Sequence, residues 1–321
     1  MKNWYDDLNG DDPIIRRLEM IRLLRSGMPV KEIAALFNAE PEYISRLNER
    51  FSLYNVPGIL SGEDFRNFRL INPEQIRICS FNLHGIHDGD LKRYGLIADR
   101  LSLLDPDICA FQEVISGAGI ENTAQQIAGR MSAVTGSYYR EHFAECHLFM
   151  EKYPEGVSTV SRHQLKNNSV IDLNTGLRKR LIPDMERYSA VSEIEIYGHR
   201  VVFASIHLDY NKVPEVRLAQ AEKLLAELDR LFPARDIHCF ILAGDFNDVE
   251  KSPVMRFLLK KGYRDAYRAC RPLGGDTYPA TAPDARIDYI MVKGDVDFIS
   301  SDLIQGTEGL SDHIGISAVI K

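Results

Sequence analysis

The chain has 321 residues but only five cysteines, an odd number, with no Cys-x-x-Cys pair among them. We therefore expect neither a disulfide framework nor a structural zinc site. The sequence also has no run of 18 consecutive apolar residues, so no membrane span is predicted. Its first residues carry one lysine and then several acids, without an apolar stretch. This pattern predicts no secretory signal and favours a cytoplasmic protein.

Positive charge is not in excess. The sequence has 39 Lys and Arg against 46 Asp and Glu, a formal net charge of −7. It therefore lacks the overall basic field that is typical of nucleic-acid-binding proteins, although clustered carboxylates can serve an anionic substrate by holding cations. Hydrophobic residues make up 45% and charged residues 26%, which excludes a disordered chain, a collagen-like repeat and a coiled coil.

Three catalytic or cofactor motifs are absent from the sequence: GxSxG, GxxxxGK[ST] and GxGxxG. Their absence removes the nucleophilic serine elbow, the phosphate-cradling P-loop and the dinucleotide-binding turn from the candidate chemistries. What the sequence has instead is a set of polar residues placed at the ends of apolar segments.

Residues 1–70 predict a small all-helical module. Apolar residues recur at helical spacing over 13–26, over 30–37 and from residue 41 to 51. About three residues join the second and third helices, which makes them a helix-turn-helix candidate, and the segment resembles the small DNA-binding modules of transposases and regulators. We regard Arg46 and Arg50 on the third helix as candidate substrate-binding residues. Because ten Lys and Arg face eleven Asp and Glu in this segment, a packing or dimerisation module remains the alternative.

Residues 71–321 predict a different fold, in which β-strands alternate with turns and helices. The strand candidates cover 76–81, 108–111, 157–161, 188–196, 201–207, 238–243, 285–292, 296–300 and 314–320. Fully apolar and alternating strands occur together, and residues 216–232 carry a helical apolar stripe. This mixture predicts an α/β fold of four layers, αββα, in which two sheets pack face to face and helices cover their outer faces.

Two connecting segments stand out in the sequence. Pro57, Gly58, Gly62 and Pro73 fall between the helical module and the α/β region, as expected of a linker between independent units. Residues 161–184 contain five Lys and Arg and are predicted to be a basic loop region. Such a loop is either a solvated surface or a contact for a phosphate-bearing substrate.

Polar residues stand at or near the ends of six strand candidates. All are carboxylate, carboxamide or imidazole side chains: Asn82, Glu113, His207, Asp245, Asn247, Asp288, Asp312 and His313. One Asn or Asp after a strand is routine, since both residues suit turns. Six such cases indicate that the strand ends converge on one site.

Carboxylates in that number require a cation. Two charges about 5 Å apart repel by roughly 3 kcal/mol at an effective dielectric constant of about 20, and a bound metal removes this penalty. Hard oxygen ligands without cysteine favour Mg²⁺, with Mn²⁺ as a substitute, over Zn²⁺. The residues therefore point to metal-assisted attack of water on a phosphoester.

Seven short motifs resemble those of the endonuclease/exonuclease/phosphatase superfamily. That superfamily includes pancreatic-type deoxyribonuclease, abasic-site endonucleases, neutral sphingomyelinases and inositol-polyphosphate phosphatases. The motifs agree in order over residues 75–321 and are Ser80-Phe81-Asn82, Phe111-Gln112-Glu113-Val114, Gly156-Val157 before Ser161-Arg162, Ile206-His207-Leu208-Asp209, Gly244-Asp245-Phe246-Asn247-Asp248, Arg286-Ile287-Asp288-Tyr289-Ile290 and Ser311-Asp312-His313.

The resemblance implies a metal site and a water-activating site. Glu113 would be the principal Mg²⁺ ligand, with Asn82 beside it and Asp312 as a second carboxylate on the metal side. Asp245 would orient or deprotonate the attacking water, and Asn247 would hold a phosphate oxygen.

The resemblance also implies a set of groups that contact the phosphoryl oxygens. His313 would donate to the phosphoryl group, with its ring held by Asp288. His207 matches a second catalytic histidine of the deoxyribonuclease and sphingomyelinase branches, a buried core imidazole being the alternative. Arg187 resembles an arginine that these branches place near the phosphate, a solvated loop arginine being the alternative.

Three functions remain open at the level of sequence. The first is a Mg²⁺-dependent phosphodiesterase acting on nucleic acid, with the helical module as a targeting device. In the second, the enzyme hydrolyses a small phosphoester or a lipid headgroup and the helical module serves dimerisation. The third is a DNA-binding regulator with an inactive hydrolase domain, against which stands the full set of catalytic side chains. No membrane partner is expected, because the sequence offers no basic amphipathic helix for attachment.

Overall fold

The structure is a computed structural model that describes residues 13–54, 74–86, 92–117, 119–233 and 235–321. The chain divides into two compact units, Met1–Arg69 and Leu70–Lys321, and each is treated by itself below. None of the helices in the described ranges combines the length and the apolar character that crossing a membrane requires.

The described residues of the first unit form three helices: α1 (Pro13–Arg25), α2 (Val30–Phe37) and α3 (Pro41–Tyr54). Their facing residues form a small apolar core of Met20, Ile21, Ile33, Ala34, Ile44 and Leu47. Asn38 ends α2 in the left-handed conformation, with a φ of 48°, which suits a residue whose short polar side chain tolerates that region. The helical region predicted for this part of the chain is therefore present.

The residues predicted to contact DNA and the predicted linker are only partly covered by the structure. Arg46 is an exposed residue of α3. The side chain of Arg50 and the predicted linker around residues 55–72 lie outside the described residues. A DNA-binding role for these helices stays a prediction.

The second unit contains two six-stranded sheets. The first has the strand order β11-β12-β1-β2-β4-β3 and the second the order β5-β6-β7-β8-β10-β9. The strands are β1 (Ile76–Asn82), β2 (Ile108–Ile115), β3 (Arg140–Phe149), β4 (Tyr153–Ser161), β5 (Leu165–Asp172), β6 (Tyr188–Ile196), β7 (His199–His207), β8 (Cys239–Asp245), β9 (Arg264–Asp265), β10 (Asp288–Gly294), β11 (Phe298–Leu303) and β12 (Ile316–Ile320).

Helices cover both outer faces of this pair of sheets. They are α4 (Arg93–Ser102), α5 (Thr123–Thr135), α6 (Pro214–Leu231), α7 (Pro253–Lys260) and the short α8 (Ala266–Cys270). Leu101 of α4 and Met131 of α5 pack on the first sheet, while Leu228 of α6 and Leu258 of α7 pack on the second. The predicted four-layer αββα fold is therefore confirmed.

The central strands are buried along almost their whole length and are mainly apolar, because they are covered on both sides. Each sheet contains one parallel pair, β1 with β2 and β7 with β8. The inner faces meet in a core that includes Ile78 and Ala110 from the first sheet and Phe203 and Ile241 from the second. Strands buried on both faces lack polar alternation. A polar side chain at the end of such a strand therefore marks the place where the apolar core ends.

The predicted loop over residues 161–184 is wrong in part, since Leu165–Asp172 forms strand β5. This strand lies at the edge of the second sheet and exposes Lys166, Asn167 and Asn168. Strand β3, at the edge of the first sheet, was not predicted either. Edge strands keep polar residues on their open sides, and their sequences therefore resemble loops.

We expect Gly244→Ala to destabilise the second unit by about 3 kcal/mol, at the upper end of the usual cost of overpacking. Gly244 lies in β8 directly before Asp245 and has a φ of 151°. A Cβ there would stand 1.9 Å from the carbonyl oxygen of Ile206 in β7. Denaturant unfolding measures the loss. The control is Gly95→Ala in α4, where nothing lies within 4 Å; we expect it to stabilise by about 0.5–1 kcal/mol. Equal effects of the two changes would contradict the close approach of β7 and β8.

Candidate active site

Side chains from both sheets meet at one end of the sandwich. His207 ends β7 and Asp245 ends β8, and the register places Asp245 opposite both His207 and Asp288, the first residue of β10. From the other sheet, Asn82 at the end of β1 donates from Nδ2 to Asp245 Oδ2 over 3.1 Å and to Glu113 Oε1 over 3.2 Å. One carboxamide therefore contacts a carboxylate of its own sheet, Glu113, and one of the other sheet, Asp245.

These side chains open into a cleft of about 370 Å³. The cleft is lined by Glu113, His147, Phe149, Glu155, Met185, Arg187, His207, Tyr210, Asp245, Asn247, Tyr278, Ile287, Asp312 and His313. The structure thus brings most of the sequence-predicted catalytic and metal-binding residues to one cavity. Two further predicted residues are hydrogen-bonded to side chains that line the cavity: Asn82 to Asp245, and Asp288 to His313.

Glu113 owes its position to a β-bulge. The pairing of β2 with β4 shifts between Phe111 and Val114, and Glu113 there has a φ of 53°. A non-glycine residue in the left-handed region is uncommon, and bulges near active sites turn a side chain out of the ordinary alternation. Burial and then the charge of Glu155 raise the pKa of Glu113. A divalent cation would offset both effects, so the oxygen donors at this position fit a hard metal ion.

Asp245, Asp288 and His313 form a second buried cluster in the same cleft. Each residue offers one atom that could bind a metal ion, and these three atoms lie within 4.8 Å of one another. His313 Nδ1 is 2.8 Å from Asp288 Oδ2. Because a carboxylate only accepts, Nδ1 carries the proton of this bond. His313 Nε2 lies 3.7 Å from Asp245 Oδ2.

The surroundings in this cluster shift the pKa values of Asp245 and His313. Burial raises the pKa of Asp245 to about 6, with the charge of His313 acting in the opposite direction. Burial alone would lower the pKa of His313, but the carboxylates of Asp288 and Asp245 raise it to about 10. The geometry thus favours a charged imidazole beside a carboxyl group that titrates near neutrality.

Arg187 determines the tautomer of His207. Its Nη1 is 3.0 Å from His207 Nδ1, and a guanidinium has no acceptor, so Nδ1 must accept. Burial and then the positive charge of Arg187 hold the pKa of His207 well below its usual range. His207 is therefore a neutral imidazole with its proton on Nε2, which lies 3.5 Å from Asp245 Oδ2.

Arg187 itself is buried, with 3% of its surface exposed, and its Nε has no hydrogen-bond partner. Among the described residues, no carboxylate lies within 4 Å of its guanidinium nitrogens in an ion pair. Arg187 therefore lines the cleft as a buried cation that has no carboxylate partner among the described residues. It is not the solvated loop arginine that the sequence left open.

The remaining predicted residues have simpler surroundings. The backbone N–H of Asn247 donates to Asp245 Oδ1 over 2.8 Å, and its Nδ2 donates to the carbonyl of Leu208 over 3.0 Å, leaving one amide hydrogen unused. Asp312 lines the cleft and is partly exposed. Ser311 fixes this segment, since its Oγ donates to the carbonyl of Asn82.

Several cleft residues were not predicted from the sequence. His147 and Phe149 belong to β3, and Glu155 stands directly before the Gly156-Val157 motif in β4. The ring of Tyr278 lies 5.0 Å from that of His313. Glu155 could have been identified as a site residue from its position directly before a matched motif. Nothing in the sequence singles out His147 or Phe149.

A four-layer fold with buried carboxylates, a carboxamide and imidazoles at one end of its sheets defines a phosphoester hydrolase. The sequence model of the endonuclease/exonuclease/phosphatase family matches residues 79–313, more than half of the chain. The protein belongs to this family, whose members are phosphoesterases that usually depend on a metal ion. A comparison with curated proteins finds no match.

Solved structures with low sequence identity share the fold. An endonuclease/exonuclease/phosphatase family protein from Leptotrichia buccalis is 22% identical, with a TM-score of 0.65 over 77% of this chain and 99% of that one. A mannosyl-6-phosphatase from Bacteroides thetaiotaomicron is 17% identical, with a TM-score of 0.61 over 77% and 99%. The catalytic domain of human Nocturnin is 21% identical, with a TM-score of 0.60 over 77% and 93%.

Proposed function

We propose that this protein is a Mg²⁺-dependent phosphodiesterase that acts on nucleic acid, with Mn²⁺ as a substitute ion. One observation carries the proposal: the carboxamide of Asn82 lies within hydrogen-bond distance of both Glu113 and Asp245. A metal-side carboxylate and a water-side carboxylate are thereby held next to each other at the end of two sheets. This is the arrangement that attack of water on a metal-bound phosphoester needs.

Glu113 would hold the ion together with Asn82 and Asp312. When bound, Mg²⁺ offsets the negative charge that develops on the phosphoryl oxygens. Asp245 orients the attacking water and accepts its proton, for which a pKa of about 6 is well placed. The unused amide hydrogen of Asn247 is available to a phosphate oxygen.

Three donors face the phosphoryl group in this proposal. His313 presents Nε2–H while its Nδ1–H is held by Asp288. His207 presents Nε2–H because its Nδ1 accepts from Arg187. Arg187 brings a positive charge that forms no ion pair with a carboxylate of the described part of the chain, and a phosphate is the natural anion for such a group.

The helical unit favours nucleic acid, as a separate targeting module. A small phosphoester is the second candidate, because the cleft of about 370 Å³ falls within the size range of small-ligand sites and one structural relative is named a mannosyl-6-phosphatase.

A substrate panel in Mg²⁺ tests the proposal. It contains bis-(p-nitrophenyl) phosphate, p-nitrophenyl phosphate, single- and double-stranded oligonucleotides and sphingomyelin. Turnover of the diester and the oligonucleotides supports the proposal. Turnover of the monoester alone would replace it by the small-phosphoester function.

We expect the helical unit to affect affinity for long DNA but not the chemistry. A protein starting at Ile71 should hydrolyse the chromogenic diester at close to the full-length rate, since every catalytic candidate follows residue 75. On long DNA it should bind more weakly and with a shallower salt dependence, because each lost phosphate contact reduces the log–log slope by about 0.9.

The double variant Arg46→Ala/Arg50→Ala should reproduce part of this loss. A matched control replaces Glu42 and Ser45 of the same helix by Ala, which removes no positive charge. Equal DNA affinity of the truncated and full-length proteins at matched salt would instead assign the helices to dimerisation or packing.

A further inference from the structure

A carboxylate and an imidazole outside the predicted set share one wall of the active-site cleft. His147 of β3 and Glu155 of β4 are direct cross-strand partners. His147 Nε2 lies 3.1 Å from Glu155 Oε1. Both side chains line the same cavity as Glu113, and the family motifs matched in the sequence assign neither of them a role.

The second oxygen of this carboxylate lacks a partner. Glu155 is 6% exposed, and its Oε2 has no hydrogen-bond partner among the residues that the structure describes. Among these residues, both ring nitrogens of His147, Nδ1 and Nε2, also lack a hydrogen-bond partner. A buried carboxylate oxygen without a donor is unfavourable, and Arg187, a cation in this cleft, is bonded to His207 instead.

The surroundings of Glu155 Oε2 point to a cation as the absent partner. Glu155 shares the cleft with a second carboxylate, the half-buried Glu113, and two such charges are stable side by side when a metal ion lies between them. A hydrogen bond from an imidazole to a ligand carboxylate is a common device for orienting a metal ligand. His147 Nε2 lies 3.1 Å from the Oε1 atom of Glu155, within reach of such a bond.

We propose that Glu155 is a further ligand of the divalent cation that Glu113 holds, and that His147 is its positioning residue. Oε2 of Glu155 supplies the ligand oxygen, while Oε1 accepts from His147 Nε2–H. The proposal rests on the metal dependence in the proposed function. It extends the metal site from the β1 and β2 strand ends to the β3–β4 hairpin.

Calorimetric titration of the full chain with Mn²⁺ tests the proposal without an activity readout. We expect Glu155→Gln to weaken Mn²⁺ binding at least tenfold, and His147→Gln to weaken it about tenfold, the lower end of the range for residues that orient metal ligands. Glu193→Gln is the matched control. Glu193 is also a buried glutamate on a central strand, but it is paired with Arg200 away from the cleft, and its replacement should leave Mn²⁺ affinity unchanged.

Thermal unfolding with and without Mn²⁺ separates a ligand from a structural carboxylate. Removing one of two facing carboxylates should leave the metal-free Tm of Glu155→Gln equal or higher, while the rise in Tm on adding Mn²⁺ becomes smaller. A lower metal-free Tm with wild-type Mn²⁺ affinity would mean that Glu155 is structural or bonded to a water, and would overturn the inference.

The two proposals fail in different ways. If the wild-type chain binds Mn²⁺ and hydrolyses the diester, but Glu155→Gln binds Mn²⁺ equally well, only the role of Glu155 is refuted. If the wild-type chain binds no divalent cation and keeps its turnover in EDTA, the metal-dependent function itself is refuted.

Discussion

Replacing Glu113 by Ala is expected to lower phosphodiester turnover by about 10³-fold while the protein stays folded. Glu113 would be the principal ligand of the ion, and the charge stabilisation that a metal supplies to a phosphoryl transition state is worth several kcal/mol. The side chain contributes little to the fold, because its pKa is raised by burial and by Glu155, which marks an unfavourable position in the absence of a cation. Steady-state kinetics in saturating Mg²⁺, with circular dichroism as the folding check, measure the effect.

Two controls distinguish this effect from general damage to the cleft. Glu193→Ala removes a buried glutamate of β6 that lies outside the cleft and should retain most of the activity. Excess EDTA should reduce the wild-type enzyme to the level of Glu113→Ala and leave that variant almost unchanged. Full wild-type activity in excess EDTA would refute the metal assignment altogether.

The central strands could be predicted because burial on both faces leaves a simple signature. Tyr188–Ile196 forms β6 with the bounds that its pattern indicates, and the apolar segments that became β1, β7 and β8 end where Asn82, His207 and Asp245 stand. A strand that is apolar on both faces and then turns polar reports the edge of the core. This is why the sequence alone predicts that the candidate catalytic side chains converge.

Two edge strands, β3 and β5, were not predicted, and the cleft residues on β3 were missed with them. β3 and β5 each pair on one side, so that their open sides carry polar residues and hide the alternation. His147 and Phe149 lie in β3, and their approach to Glu113 depends on long-range pairing through β4. No local pattern encodes a partner that far away in the chain.

Contacts between catalytic residues were also beyond sequence reasoning. The resemblance implied that Arg187 and His207 lie near the phosphate, but it did not imply that Arg187 Nη1 is bonded to His207 Nδ1. That bond places the proton of His207 on Nε2 and keeps the ring neutral. The bulge at Glu113 is likewise a property of the β2–β4 pairing, since the sequence Phe111-Gln112-Glu113-Val114 reads as an uninterrupted strand end.

His313→Ala is expected to reduce kcat for the diester by at least about 10²-fold, the usual cost of losing a general acid–base or a transition-state donor. The ring lies in the cleft with Nδ1–H bonded to Asp288, so that its Nε2–H is free for the phosphoryl group. Asp288→Asn should cost less, because it removes the orienting carboxylate and leaves the imidazole in place. Tyr278→Phe is the matched control: it keeps the ring that packs 5.0 Å from His313, and turnover should stay within a fewfold of wild type. Stopped or initial-rate assays at saturating substrate and Mg²⁺ give kcat for all three variants, with thermal unfolding to confirm that each is folded. If His313→Ala keeps near-wild-type kcat, the imidazole is structural, and Asp245 and His207 would have to carry the proton transfers without it.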